Sequence, residues 1–287
     1  MRIGIIGAGK VGISIGYVLK NNGMDVVALS DRRTAALDTA RGLLGVDMVY
    51  TSDNLEVVGS ADVIALTTQD RVIQDVVREI NDRAEDLAGK LFFHTSGADP
   101  CSILMPLDEK GAHLGSLHPL QTFPDIESAI DVLPDTSIFI EGDDKAREIL
   151  RFIGENLGAK VHAIESADKV LYHLAAVTVC NLLSALMYTG VGVMERIGIG
   201  LEPFIPIIRA TMKNIENKGP LAALTGPIMR GDDSTVRAHI EAIRPMPLHE
   251  EIYRALSRMA LEMSVRNGAL DEDRREAMRR ALEGKDE

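Results

Sequence analysis

At 287 residues, with 46% hydrophobic and 26% charged side chains, the chain has the size of one large or two medium domains and an ordinary globular composition. Its net charge of −12, from 31 basic and 43 acidic residues, argues against a general nucleic-acid or anionic-membrane surface, which needs a basic face. Cys101 and Cys180 are too few for a disulfide framework, and no Cys/His spacing suits a metal.

The first half alternates short apolar runs with amphipathic stretches. RIGII begins at Arg2, which is read as leaving no room for a signal peptide, so a cytoplasmic protein is expected. The next segment, GAGKVG at 7–12, fits G-x-G-x-x-G between that strand and an apolar-periodic helix. Gly7 would make the tight turn, Gly9 would let a diphosphate approach the backbone, and Gly12 would let helix pack on strand. Ala8, Lys10 and Val11 complete the loop, and the anion would sit on the helix N-terminus. The plain alternative is a glycine-rich turn with no ligand.

The second strand, DVVALS, ends at Ser30, where an NAD-type site usually carries Asp or Glu for the ribose hydroxyls. A small residue followed by Arg32 and Arg33 suits a 2′-phosphate instead. Asp31 leaves NAD open, because it takes the ribose role if the strand runs one residue further. Thr67, Thr68 and Gln69 follow the strand-like DVIAL and are candidates to line the cofactor. KLFFH leads to Ser96, and HLGSL leads to His118 in GSLHPLQTFPD, each on the edge where open α/β sheets bind ligands. An imidazole there suits the proton transfer that accompanies hydride transfer, with a strand-capping histidine as the bland reading. SIFIEG, DKAREILRFIGENLG and KVHAI close this half near Ile164.

From Ser166 on, helical periods replace strands, at 167–195, 202–217, 219–230, 232–243 and 248–266. Leu174 to Met194 carries no charge over 21 residues, about 30 Å as a helix and long enough to span a bilayer. Its polar residues and the lack of a basic flank on one side make it a helix buried in protein, in a core or a dimer interface. On a continuous helix Lys169, His173, Val177, Cys180 and Ser184 share an ~80° stripe, with Asn181 just off it. His173 and Asn181 are then about 12 Å apart along the axis. Arg230, in LTGPIMRGD, is a weaker candidate for a substrate carboxylate, and one of Asp232, Asp233 and Ser234 is the N-cap after it. The charged tail DEDRREAMRRALEGKDE reads as a solvated, fraying helix.

The fold class is therefore α/β: a Rossmann-type, doubly wound parallel sheet over 1–164, followed by an all-α domain over 165–287. Taken in order, GAGKVG, HTSGA, GSLHPLQTFPD, ADKVLYHLAAVTVCNLL and LTGPIMRGD resemble the "Rossmann-like and DUF2520 domain" proteins of the 6-phosphogluconate dehydrogenase-like superfamily. The resemblance implies an NADP-dependent oxidoreductase, usually a homodimer through its helical domain, with the active site in the cleft between domains. Prephenate dehydrogenases carry a similar His-Pro whose histidine assists hydride transfer, which matches His118, and Ser96 resembles the serine of their preceding loop. Hydroxyisobutyrate and ketopantoate enzymes carry a Lys and, four residues on, an Asn; here Lys169 is followed at that spacing by His173.

The expected activity is hydride transfer between NADP (NAD possible) and a small polar carbonyl, imine or hydroxyl compound. His118 leads as acid/base and His173 is second, with Lys169 as a further candidate and Ser96 and Asn181 orienting the substrate. No nucleic-acid or membrane partner is expected. A non-catalytic NADPH sensor is the rival reading, and substrate, reaction direction and a deazaflavin partner stay open.

Overall fold

The computed structural model describes residues 1–284. Its first compact unit spans Met1–Cys180, and a second begins at Asn181.

In the first unit β1 (Arg2–Ile6), α1 (Lys10–Asn21), β2 (Asp25–Ser30), α2 (Thr34–Leu44), β3 (Val49–Thr51), α3 (Asn54–Ser60) and β4 (Val63–Leu66) follow one another. Next come α4 (Asp70–Arg83), β5 (Leu91–His94), α5 (Met105–Asp108), β6 (His113–Pro119), α6 (Ile126–Val132), β7 (Ser137–Gly142), α7 (Asp144–Asn156) and β8 (Lys160–Ala163). They form one eight-stranded sheet in the order β3-β2-β1-β4-β5-β6-β7-β8. Near-continuous apolar runs such as VIAL and LFFH are buried at every residue, as strands covered on both faces must be. Alternation along β5 sends Phe92 and Phe93 into the two separate cores on either side of the sheet.

Two features depart from the sequence reading. The three-residue edge strand β3 was not expected, and β7 pairs antiparallel to β6 in a sheet otherwise parallel throughout. The link from Leu120 to Thr136 holds only the short α6 and one 3₁₀ turn, so the chain re-enters the sheet at the end it left. That pairing sets Phe139 opposite His118 and Glu141 opposite Ser116.

The first unit extends past the expected boundary at 164, because α8 (Lys169–Val179) belongs to it and Lys169 is buried there. The expected single helix over 167–195 is also broken. Cys180 takes φ −116° and ψ −71°, and α9 (Asn181–Glu195) starts beyond it, so the stripe drawn through Cys180 and Ser184 does not continue.

The second unit is helical, with α9, α10 (Ile205–Ala223), α11 (Pro227–Arg230), α12 (Asp233–Ile243), α13 (Pro247–Arg266) and α14 (Glu272–Glu283). Pro220, which cannot continue the hydrogen-bond ladder, follows Gly219 at φ 75° and kinks α10. Asp232 is the N-cap of α12, its carboxylate accepting from the Thr235 N–H at 3.1 Å. The charged tail is more than a solvated helix: Met278, Ala281 and Leu282 of α14 are buried with Val236, Ile240 and Leu261. Its last three residues lie outside the described ones.

Of the two places expected for the uncharged segment, a core or a dimer interface, the core is not where it lies: Leu174, Val179, Leu182, Leu186 and Tyr188 are exposed. By length and apolarity Ser166–Glu195 is the one described stretch able to cross a membrane.

Candidate active site

Parallel β1, β4, β5 and β6 end on one edge of the sheet, so the loops after them converge. Gly7 holds φ 113°, a region closed to side chains, and its N–H donates to the Ser30 carbonyl at 2.8 Å. A Cβ on Gly12 would stand 2.1 Å from the Gly7 oxygen and 2.4 Å from Thr67 Oγ1, so only glycine lets α1 start this close to the sheet. At Gly9 the same position is open space, and no side chain caps the helix there.

A cavity of about 690 Å³ opens over this loop, lined among others by Gly9, Lys10, Asp31, Arg32, Thr68 and Phe123. Thr68 Oγ1 is buried without a partner among the described residues. An open helix N-terminus, an orphaned hydroxyl and a free guanidinium fit a dinucleotide phosphate chain. Lys10 Nζ donates to the Pro124 carbonyl at 2.5 Å, which draws loop 120–125 over the glycine turn and brings Phe123 to the cavity. The stretch GSLHPLQTFPD thus joins two places, with His118 at one end and the nucleotide loop at the other.

Not every expected ligand residue presents its side chain. Ser30 is fully buried and donates to Asn54 Oδ1 at 2.8 Å, so its hydroxyl is spent. Asp31 accepts from the Ala8 N–H at 2.9 Å and pairs with Arg33 at 3.1 Å. Burial opposes ionisation of this carboxyl, but its bonds to Arg33 and Ala8 outweigh that and lower its pKa. Arg33 is therefore already neutralised, and Arg32 is the exposed cation that pairs with no described residue. Thr67 bonds the Gly7 carbonyl at 2.8 Å, and the Gln69 amide accepts from Arg71 at 3.0 Å; both residues line the cavity.

At the far end of the same edge His118 Nδ1 lies 2.7 Å from the Tyr172 hydroxyl. The His118 and His173 rings meet edge to face, 6.0 Å between centroids. Phe139 packs on Tyr172 at 4.3 Å and stacks on His162 at 5.0 Å, which fixes the phenol. Gly97 fills the gap beside both imidazoles: a Cβ there would stand 2.6 Å from His173 Nδ1 and 2.8 Å from His118 Nε2. His173 Nδ1 is buried and has no partner among the described residues. Burial first, then the neighbouring His173, Lys169 and His94, push the His118 pKa down to about 4, so the ring is neutral at physiological pH. Burial raises the Tyr172 pKa, which keeps its hydroxyl protonated.

Ser96 shapes this site without offering its hydroxyl. It is buried, its Oγ donates to Asp99 Oδ2 at 3.0 Å and accepts the Asp99 N–H at 3.1 Å, and its N–H donates to His94 Nδ1 at 3.2 Å. Lys169 is buried at 1% exposure, ion-paired with Glu141 at 3.2 Å. Asn181 falls in the second unit, exposed, and is not among the groups assembled here. Arg230 is likewise an exposed residue of that unit. Tyr172, Glu141 and Phe123 were not among the expected site residues. No group of three or more His, Cys, Asp or Glu among the described residues could hold a metal.

Residues 1–119 match the model of a Rossmann-like domain, and residues 136–260 that of a domain of unknown function, DUF2520. No curated protein matches the sequence. Among solved structures, the fold is shared with a candidate NADP oxidoreductase from Bacteroides fragilis, at TM-score 0.76 and 23% identity over 91% of this chain and 98% of that one. A protein from Thermotoga maritima matches at 0.73 and 22%, over 92% and 99%. A reductive aminase from Aspergillus terreus, in complex with NADPH and ethyl-5-oxohexanoate, matches at 0.70 and 14%, over 97% and 98%.

Proposed function

The chain belongs to the proteins that join a Rossmann-like domain to a DUF2520 domain, and from that premise we propose an NADP-dependent oxidoreductase acting on a small polar carbonyl, imine or hydroxyl compound. The observation that carries the reading is the cavity over the glycine loop, open at the N-terminus of α1 and edged by the unpaired Arg32. The open N-terminus of α1 would take the diphosphate, and Arg32 the 2′-phosphate. When bound, the nicotinamide supplies or accepts the hydride.

The proton is handled by His118 and Tyr172. Tyr172 keeps its proton and donates to Nδ1, which assigns the imidazole proton to Nε2, the nitrogen beside Gly97. In reduction Nε2–H protonates the substrate oxygen or nitrogen while the Tyr172 proton moves to Nδ1, so the ring carries no charge at either end of the step. To reset, the half-buried His118 takes a proton at Nε2 from solvent while Nδ1 returns its own to the Tyr172 oxygen, which restores the starting tautomer. Oxidation runs the same path backwards. The unpartnered His173 Nδ1 is left to hold a polar atom of the substrate.

The exposed Leu174, Val179, Leu182 and Leu186 support a homodimer, because covering apolar surface favours association by about 25 cal/mol for each Å² removed from water. Light scattering on the purified protein reads that mass directly. For the function itself, titrate the protein with NADPH and NADH by fluorescence. Tight NADPH and weak NADH binding is expected, and binding of neither overturns the reading.

A further inference from the structure

Behind the two imidazoles lies a buried cluster that the proton path does not use. Lys169, the first residue of α8, inserts its amine where three acceptors meet: the Ser96 carbonyl at 3.1 Å, Ser116 Oγ at 2.8 Å and Glu141 Oε2 at 3.2 Å. An ammonium has three protons and no lone pair, so none is left to donate elsewhere. Glu141 is equally committed. Its Oε1 accepts from the Cys101 N–H and from Ser166 Oγ, both at 2.7 Å, and its Oε2 accepts from Ser116 Oγ at 3.1 Å. Both side chains are 1–2% exposed.

Three segments are tied at this point: the turn after β5, through Ser96 and Cys101; the β6–β7 pair, through Ser116 and Glu141; and the start of α8, through Ser166 and Lys169. The first carries Gly97, which rests against His118 and His173. The last carries Tyr172 and His173 one turn beyond the lysine. A single buried cation therefore holds both walls of the slot in which His118 works.

We propose that Lys169 and Glu141 form a positioning clasp that sets the Ser96–Gly97 turn and the first turn of α8 around His118, with neither residue reaching the substrate. The proposal rests on the reading of His118 and Tyr172 as the proton-handling pair. It gives Lys169 a different task from the acid/base role expected of it. Burial lowers the Lys169 pKa while Glu141 raises it, and its charge is one of the influences, with His173 and His94, that keep His118 neutral. The other group facing His118 is the Tyr172 hydroxyl.

The test replaces the pair by neutral shapes of similar size, Lys169→Met with Glu141→Gln, since removing one partner alone leaves a buried charge unpaired. Ser116→Ala, a smaller change that removes one acceptor of the amine, is the second variant. In each, the His118 and His173 ring signals are followed by NMR against pH, and NADPH binding is measured on the same samples. The clasp predicts that the His118 midpoint moves up in the double variant and, by less, in Ser116→Ala. NADPH affinity should stay within about twofold, because no clasp residue lines the cofactor cavity. Folded variants with both imidazoles titrating as in the wild type overturn the clasp. If the double variant does not fold, Ser116→Ala decides alone, and an unchanged His118 curve there overturns it too. Wild-type protein that binds no NADPH would instead remove the oxidoreductase reading, and the titrations would still report on the clasp.

Discussion

Acidification should destabilise the first unit well before its carboxylates are protonated. His94 is fully buried, its Nδ1 accepting the Ser96 N–H and its Nε2 donating to the Pro100 carbonyl at 3.3 Å, an arrangement only the neutral ring satisfies. Burial first, then the Lys169 charge, holds it at about 4, and His118 likewise stands at about 4. Both folded values lie below the 6.5 of a free imidazole, so the unfolded chain binds more protons between pH 6.5 and 4. Stability is then complete above pH 6.5 and falls with pH through that window. At pH 5 the difference is 1.5 units for each ring, about 2 kcal/mol, and about 4 kcal/mol for both together. That is a large part of the roughly 5–15 kcal/mol by which domains are stable. Glu141, held at about 2 by Ser166, Cys101 and Lys169 against its burial, adds a further loss only below its free value of 4.5, so pH 5 isolates the histidines. The assay is urea unfolding at pH 7.5, 6.5, 5.5 and 5.0 for the wild type, His94→Gln and His118→Gln. Each variant should flatten the pH dependence by close to one proton. If both keep the wild-type slope, or the ring signals titrate near 6.5, the reasoning about their burial is wrong.

Three substitutions probe the rest of the site. Arg32→Ala should weaken NADPH binding about 10- to 100-fold, the loss of one charge-assisted hydrogen bond, and leave NADH nearly unchanged; isothermal titration reads both. Gly12→Ala puts a methyl against the Gly7 carbonyl and the Thr67 hydroxyl, neither free to move, and should cost about 1–3 kcal/mol in urea unfolding together with cofactor binding. Tyr172→Phe leaves His118 Nδ1 without its donor and should slow NADPH consumption with a substrate found by screening by about 10²- to 10⁴-fold, with NADPH affinity unaltered.

How much of this was legible depends on the range over which each residue acts. GAGKVG is local: a strand, a turn and a helix N-terminus lie within a dozen residues, and the glycines carry their geometry with them. The strand SIFIEG was equally visible, yet its direction was not, because alternation marks a strand and says nothing about which way it runs. Val49–Thr51 is three residues long and half-exposed at the sheet edge, too short to show any period. The tail read as a solvated helix because Met278 and Leu282, four apart, are a thin apolar line among charges. Tyr172 had no local signal: its partner is 54 residues away, and the contact exists only because β6 and the start of α8 meet. Glu141 did leave one, as a lone acid inside an apolar strand, where burial without a partner would be costly.

Lys169 shows why a residue at a recognisable position does not carry its role with it. A lysine at the head of a long helix can serve as an acid only if one of its protons points to a substrate. Here Ser96, Ser116 and Glu141 take all three, and the carboxylate of Glu141, opposite Ser116 across the β6–β7 pair, is what makes so buried a cation tolerable. In the proposed function the proton task falls to His118, whose neutrality the same cation helps maintain, and to Tyr172, which the same helix delivers. The spacing from Lys169 to His173 departs from the lysine–asparagine pattern, and the geometry shows what stands there instead. With the amine turned into the core, the next turn of α8 presents an imidazole at Gly97, and its Nδ1, without a partner among the described residues, is the atom the proposed function gives to the substrate.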